Sequence, residues 1–353
     1  MHTSSLLLPF TLLFILCFVK PSIAWIDTHI HVVTKSYSDA IDAAGGDPSG
    51  YAVPSWSVDS CLEFMNVIGD QRAVLSVTAP GPSISGNGTE GRKLARTVND
   101  EVGDIVTENS DSLSFFASTP DWTDVQGTLD ELDYIFATQK KAVGVVVMSV
   151  YSGHLLGDSM FKPIWEKLND YKAIVFIHPT WYEISPMNVA GHLSQPIIDY
   201  PYGTTRTAAD LLLTGRFNDC PDVDIILSHA GGVLPYLATR LAGPLLANPF
   251  EYDGRNTTFA NFELNLNRFY MDVALSTSSP QLEALIAFGA TDRLLFGTDF
   301  PYASDQSIQL SSKLLKTFIR TNPKGKLVNE AKLTKNAVGL FKKHGINIHN
   351  PKV

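Results

Sequence analysis

Eight short apolar runs with almost no polar alternation constrain the fold more than any other feature. They are Trp25–Thr28, Ala73–Thr78, Leu113–Ala117, Ala142–Met148, Ala173–Ile177, Val223–Leu227, Phe269–Val273 and Arg293–Phe296. A strand with one wet face alternates apolar and polar residues, whereas a strand covered on both faces does not; such runs belong to a parallel sheet. Helical patterns fill the intervals. They are Leu94–Asn109, a segment within Asp121–Gln139 starting near Asp124, Phe161–Leu168, Ala208–Phe217, Leu234–Ala242, Pro280–Phe288 and Gln309–Phe318. The alternation gives βαβ units with right-handed crossovers. Eight units in this span suit an α/β fold of the (β/α)8 TIM-like barrel type. An open doubly wound sheet is the other arrangement, but no Gly-rich dinucleotide fingerprint follows an early strand. No charge run or Ser/Gly linker divides the chain, so residues 25–353 are expected to form one domain.

The first 24 residues differ from the rest. Leu6–Val19 is apolar except for Pro9 and Thr11, too short for a comfortable membrane span of about 20 residues. Ser22 and Ala24 stand where a signal peptidase reads small side chains, although the usual N-terminal positive charge is missing. A cleaved secretory signal over residues 1–24 is expected, with an uncleaved anchor as the alternative. The mature protein is then expected in the secretory pathway, secreted or in an endomembrane lumen, with no stable membrane insertion after cleavage. Asn87-Gly-Thr and Asn256-Thr-Thr are glycosylation acceptors. Cys61 and Cys220 remain after cleavage, enough for one bridge but not for a disulfide framework. With 27 Lys and Arg against 36 Asp and Glu, the chain carries −9 and no basic stripe. That excludes a nucleic-acid binder and an anionic-membrane binder.

The chemistry-bearing residues fall at strand ends. His29 and His31, in Asp27-Thr-His-Ile-His, end the first run, and residues two apart on a strand share a face. His178 ends the fifth run and His229 the sixth; Asp299 ends the eighth, in Phe296-Gly-Thr-Asp-Phe-Pro. These are five metal-competent side chains at C-terminal strand ends, where barrel enzymes place their active sites. Each alone has an ordinary explanation, such as a hydrogen-bonded sheet end or a helix cap; the conjunction argues for a site. Two long connections, Val32–Val58 and Pro179–Tyr202, follow the first and fifth strands and are expected to wall the same mouth.

The chain resembles the amidohydrolase superfamily of metal-dependent hydrolase barrels. More narrowly, it is similar to the branch of aminocarboxymuconate-semialdehyde decarboxylase and the fungal 6-methylsalicylate decarboxylases. Asp27-Thr-His-Ile-His, Ile177-His-Pro, Ser228-His-Ala-Gly-Gly and Phe296-Gly-Thr-Asp-Phe-Pro-Tyr302 carry the likeness from first strand to last. The resemblance implies His29, His31, His178 and Asp299 as metal ligands and His229 as an acid/base at or beside the metal. Arg240 falls where the muconate enzyme has an arginine for the substrate carboxylate, and is otherwise a helix-surface residue. Binuclear relatives use a carboxylated lysine at the end of the fourth strand. Here Lys140 and Lys141 precede that strand, so one metal per chain is expected.

Three imidazoles and a carboxylate suit Zn²⁺, with Mn²⁺ as the alternative. Such an ion either activates water for hydrolysis or holds a substrate's carboxylate and neighbouring hydroxyl for decarboxylation. The favoured expectation is non-oxidative decarboxylation of a small aromatic acid such as 6-methylsalicylate, within secondary metabolism. His229 and Asp299 would manage the proton. Trp181, Tyr182, Phe300 and Tyr302 would wall the ring. A lactone or amide hydrolase of the same superfamily, and a secreted metal binder without catalysis, are the alternatives. A homodimer is expected.

Overall fold

The computed structural model describes residues 25–252 and 255–348. The expected signal over residues 1–24 lies outside the described residues. Eight strands form one parallel sheet in sequence order: β1 Trp25–His31, β2 Asp70–Ser76, β3 Leu113–Ser118, β4 Ala142–Met148, β5 Ile174–His178, β6 Asp224–Leu227, β7 Tyr270–Asp272 and β8 Leu294–Leu295. Asp27 bridges Phe296 in parallel, and the Thr28 N–H donates to the Phe296 carbonyl at 3.0 Å, bringing the last strand back to the first. The expected (β/α)8 barrel is therefore what the chain forms. Consecutive residues such as Val145, Val146 and Val147 are all buried, which explains the missing alternation.

The helices among the described residues are α1 Lys35–Ala43, α2 Val58–Ile68, α3 Thr89–Glu108, α4 Val125–Thr138, α5 Lys162–Asp170, α6 Asp199–Leu213, α7 Arg216–Asp219, α8 Leu234–Ala247, α9 Phe259–Leu266, α10 Ser279–Ala287, α11 Asp305–Thr321 and α12 Glu330–Lys343. Asp124 caps α4, accepting the Gly127 N–H at 3.1 Å, which accounts for the start read from the sequence.

The Val32–Val58 connection is not all loop. Thr34 caps α1, which turns Tyr37 and Ile41 into the core at a spacing of one helical turn. α6 begins at Asp199 rather than Ala208, and α12 has no counterpart in the sequence reading. Its Asn336 side chain donates to the Thr291 and Leu294 carbonyls, both at 2.9 Å, tying the helix to β8. Cys61 and Cys220 are both buried free thiols, so no bridge forms between them; burial first, then nearby carboxylates, push each up to about 12. Asn87 is exposed ahead of α3, and Asn256 stands in a short strand, Arg255–Thr257.

Candidate metal centre and active site

Parallel strands end in one direction, so their C-terminal residues share one mouth of the barrel. His29 and His31 stand at the end of β1, His178 at the end of β5, and Asp299 in the turn after β8. One donor atom from each of these four lies within 4.8 Å of the others. His31 Nε2 is 3.2 Å from His29 Nε2 and 3.1 Å from Asp299 Oδ1. His29 Nε2 lies 3.4 Å from the same oxygen.

The far nitrogen of each imidazole is anchored. His29 Nδ1 meets Asp272 Oδ2 at 2.9 Å, and His31 Nδ1 meets the Ser76 carbonyl at 3.2 Å. His178 Nδ1 is 2.7 Å from the Pro179 carbonyl, and His229 Nδ1 is 3.3 Å from the Ala274 carbonyl. With a cation bound, these nitrogens would carry the proton and the Nε2 of each ring would present its lone pair. Three such lone pairs and one carboxylate oxygen form a donor set suited to a divalent cation.

The electrostatics call for the same charge. Burial disfavours a protonated His29, yet the Asp272 and Asp299 carboxylates outweigh it and raise this ring to about 10. Burial and the neighbouring His31 and His29 hold His178 well below the ordinary imidazole range. His31 and His229 are also lowered, chiefly by burial. Asp299 is held well below the usual carboxylate range; burial opposes this, but hydrogen bonds from His29 and His31 prevail. Without a metal, a proton on His29 balances the carboxylates. A divalent cation would replace it.

Asp272, at the end of β7, escaped the sequence reading, although Phe269–Val273 was read as a strand. One of its oxygens takes His29; the other takes the His229 N–H at 3.1 Å and the Ala274 N–H at 2.9 Å. It also forms a second group with His29 and His229 that can hold an ion. Gly297 is needed beside them, because a Cβ there would lie 2.7 Å from the His29 Cβ. Three cavity-lining residues, His229, Leu275 and Asp299, have positive φ of 53°, 52° and 68°. Non-glycine residues seldom adopt that conformation, and it concentrates at functional sites.

The cluster opens into a cavity of about 480 Å³, into which His178, His229, Asp299, Tyr200 and Tyr302 project. Tyr302 stands with its ring 5.6 Å from His31, and its hydroxyl is buried with no hydrogen-bond partner. Among the described residues, no Lys or Arg lines this cavity. Trp181 and Tyr182 line a separate cavity of about 930 Å³. Phe300 packs under the site, stacked on Phe64 at 4.1 Å. Arg240 is exposed on α8 and is not among the cavity-lining residues. Lys140 and Lys141 lie before β4, at the opposite end of the barrel from the cluster.

A β/α barrel whose mouth carries a four-donor His/Asp cluster able to hold a metal defines the class of this molecule. The chain belongs to the amidohydrolase family, whose profile matches residues 26–342. It is 40% identical over 306 residues to a protein named decarboxylase macB from Penicillium terrestre, covering 83% of this chain and 88% of that one. It is 38% identical over 299 residues to 6-methylsalicylic acid decarboxylase from Penicillium expansum, covering 84% and 90%. Among solved structures, the fold matches a dihydroxybenzoic acid decarboxylase from Polaromonas sp. JS666, bound to manganese and 2-nitroresorcinol. That match has a TM-score of 0.73 at 22% identity, covering 90% of this chain and 97% of that one.

Proposed function

We propose that this protein is a metal-dependent, non-oxidative decarboxylase of a hydroxybenzoic acid, with 6-methylsalicylate as the first substrate to test. One observation carries the reading: the four-donor cluster opens into a cavity with room for an aromatic acid and, among the described residues, no Lys or Arg in its lining. An acid entering this cavity finds the cluster, once it holds a cation, as the positive charge to meet its carboxylate. The names of the relatives with 40% and 38% identity support the same chemistry.

His29, His31, His178 and Asp299 would hold one zinc or manganese ion. When bound, that ion supplies the positive charge that takes the substrate carboxylate and the adjacent hydroxyl. The protein's own residues do the rest. Burial keeps the Tyr302 phenol protonated, so its unpaired hydroxyl donates to a substrate oxygen. Tyr200 and Tyr302 border the space beside the cluster in which the ring would sit. Before substrate enters, Asp299 is ionised and His229 neutral. This pair takes up a proton and places it on the ring carbon bearing the carboxylate. The carbon–carbon bond then breaks, its electrons return to the ring and CO₂ leaves. One proton from solvent is consumed per turnover.

Residues 1–24 act in this reading as a cleaved secretory leader, supported by their apolar run and small residues at the cleavage site. Asn87, exposed, is then a glycan acceptor, and the working unit is a homodimer in a secretory compartment.

CO₂ release from metal-loaded protein, followed over hydroxybenzoates and lactones, tests the function. Deuterium from D₂O should appear on the carbon that lost CO₂. Ring opening of lactones with no CO₂ from any hydroxybenzoate would replace this reading with a hydrolase.

A further inference from the structure

We infer that the natural substrate carries an apolar substituent several carbons long, seated in the outer half of the active-site cavity between α10 and α11. The inference rests on the decarboxylase reading and narrows its substrate class.

The two ends of the cavity are chemically unlike. The inner end holds the metal cluster and Tyr302. The outer end carries the large aliphatic side chains, Leu275, Leu310, Leu314 and Ile197, set among small hydroxyl residues. α11 turns Ser307, Leu310, Ser311 and Leu314 to the cavity at i, i+3, i+4 and i+7, a single helical face. Several hydroxyls of this end turn to one another. Thr277 Oγ1 is 2.8 Å from Ser311 Oγ, Ser278 Oγ donates to Gln281 Oε1 at 2.7 Å, and Ser304 Oγ is 2.9 Å from Ser307 Oγ.

The leucines are also poorly covered. Leu310 is 57% exposed and Ile197 is 55% exposed. Leu275 is held at a φ of 52°, where a bulky side chain is seldom found. Apolar area left in water is unfavourable in proportion to its size, and an apolar occupant removes that cost. Size agrees with chemistry. At about 480 Å³ the cavity falls in the ~300–1,000 Å³ range that encloses drug-sized ligands. A single ring held at the cluster leaves the outer end empty.

The test compares hydroxybenzoates bearing a methyl group or a pentyl chain at the same ring position, each open position being tried. Manganese-loaded protein is assayed for CO₂ release, and the binding of each acid is measured by calorimetry. A fully buried methylene is worth about fourfold in affinity. For four further methylenes in a half-open groove, about tenfold is expected in both kcat/KM and Kd at one ring position. Leu310→Asp should abolish most of that ratio, and Leu310→Met should keep it. If the methyl acid is decarboxylated and no pentyl acid gains, the decarboxylase reading stands and this inference falls. If no acid releases CO₂, the functional reading falls; tenfold tighter binding of the pentyl acid then still supports the apolar groove, and equal binding overturns it. If Leu310→Asp changes the oligomeric state in light scattering and leaves the ratio intact, the leucines belong to a subunit contact and the inference is overturned.

Discussion

Asp272 fixes His29 from the side opposite the cluster: its Oδ2 lies 2.9 Å from His29 Nδ1, while its Oδ1 takes the backbone N–H of His229 at 3.1 Å. One carboxylate thus sets the tautomer of a candidate ligand and the position of a candidate acid/base. Asp272→Asn keeps the shape but turns an amide N–H toward His29. The ring would answer by moving its proton to Nε2, the atom that faces the cluster. Metal affinity should fall about 10–100-fold. Titration with a competing chelator checks this; unchanged affinity would show that Asp272 does not set the tautomer.

His229 separates chemistry from metal holding. It lies outside the four-donor group, and its Nδ1 is anchored to Ala274. His229→Ala should retain most of the metal by elemental analysis and lower kcat by about 10²–10⁴. His178→Ala should lose metal and activity together. Two tightly bound metals in the unaltered protein would contradict the mononuclear reading.

Gly297→Ala brings a methyl group 2.7 Å from the His29 Cβ, closer than non-bonded carbons approach. The surrounding strands are too well packed to give way freely. His29 is expected to tilt, with metal affinity down about tenfold or more, on the scale of losing a support behind a ligand, while circular dichroism stays native. Native metal affinity in this variant would mean that the seam of β1 and β8 is more pliable than its packing implies.

Asp224, at the start of β6, receives Lys343 at 2.7 Å and His344 at 2.8 Å. Burial opposes its ionisation, yet these hydrogen bonds hold it below the ordinary carboxylate value. A carboxylate lowered in the folded state adds stability above its unfolded pKa, and that stability is lost as pH falls through the folded value. Unfolding free energy should therefore drop below about pH 4. Asp224→Asn should flatten that drop and cost about 1–3 kcal/mol near neutrality. Denaturant midpoints across pH test this; an unaltered acid limb in the variant would assign the acid sensitivity to other carboxylates.

Expression in a eukaryotic host tests the leader. N-terminal sequencing should begin near Trp25, and glycosidase treatment should shift the mass through Asn87. A cytosolic, unglycosylated chain retaining Met1 would refute the secretory assignment.

Much of this site was legible because a parallel barrel converts position along the chain into position in space. A His or Asp at the end of an apolar run must reach the common mouth, and His29, His31, His178, His229 and Asp299 did. Asp272, at the end of β7, obeys the same rule but lies outside the stretches that carry the family resemblance. The sequence does not place Trp181, because the Pro179–Tyr202 segment divides between two cavities under no periodic constraint: Ile197 and Tyr200 wall the cluster's cavity as expected, whereas Trp181 and Tyr182 line the other. Arg240 sits on a helix whose outward face is set by packing that spacing does not encode. α1 carries no clear sequence signal, because its polar composition hides a core contact made by only Tyr37 and Ile41.

The meeting of the first and last strands also bears on how such a protein is made. The His29 carbonyl accepts the Thr298 N–H at 3.1 Å and the Asp299 N–H at 2.8 Å, so the carboxylate is positioned by the very residue it joins in the cluster. His31 and Asp299 are 268 positions apart in the chain. During synthesis the Asp27-Thr-His-Ile-His segment emerges early, and its carboxylate partner comes only after nearly the whole barrel has been translated. The cage therefore cannot close until the last strand has been made, and a metal held by it would be loaded only after the barrel is nearly complete.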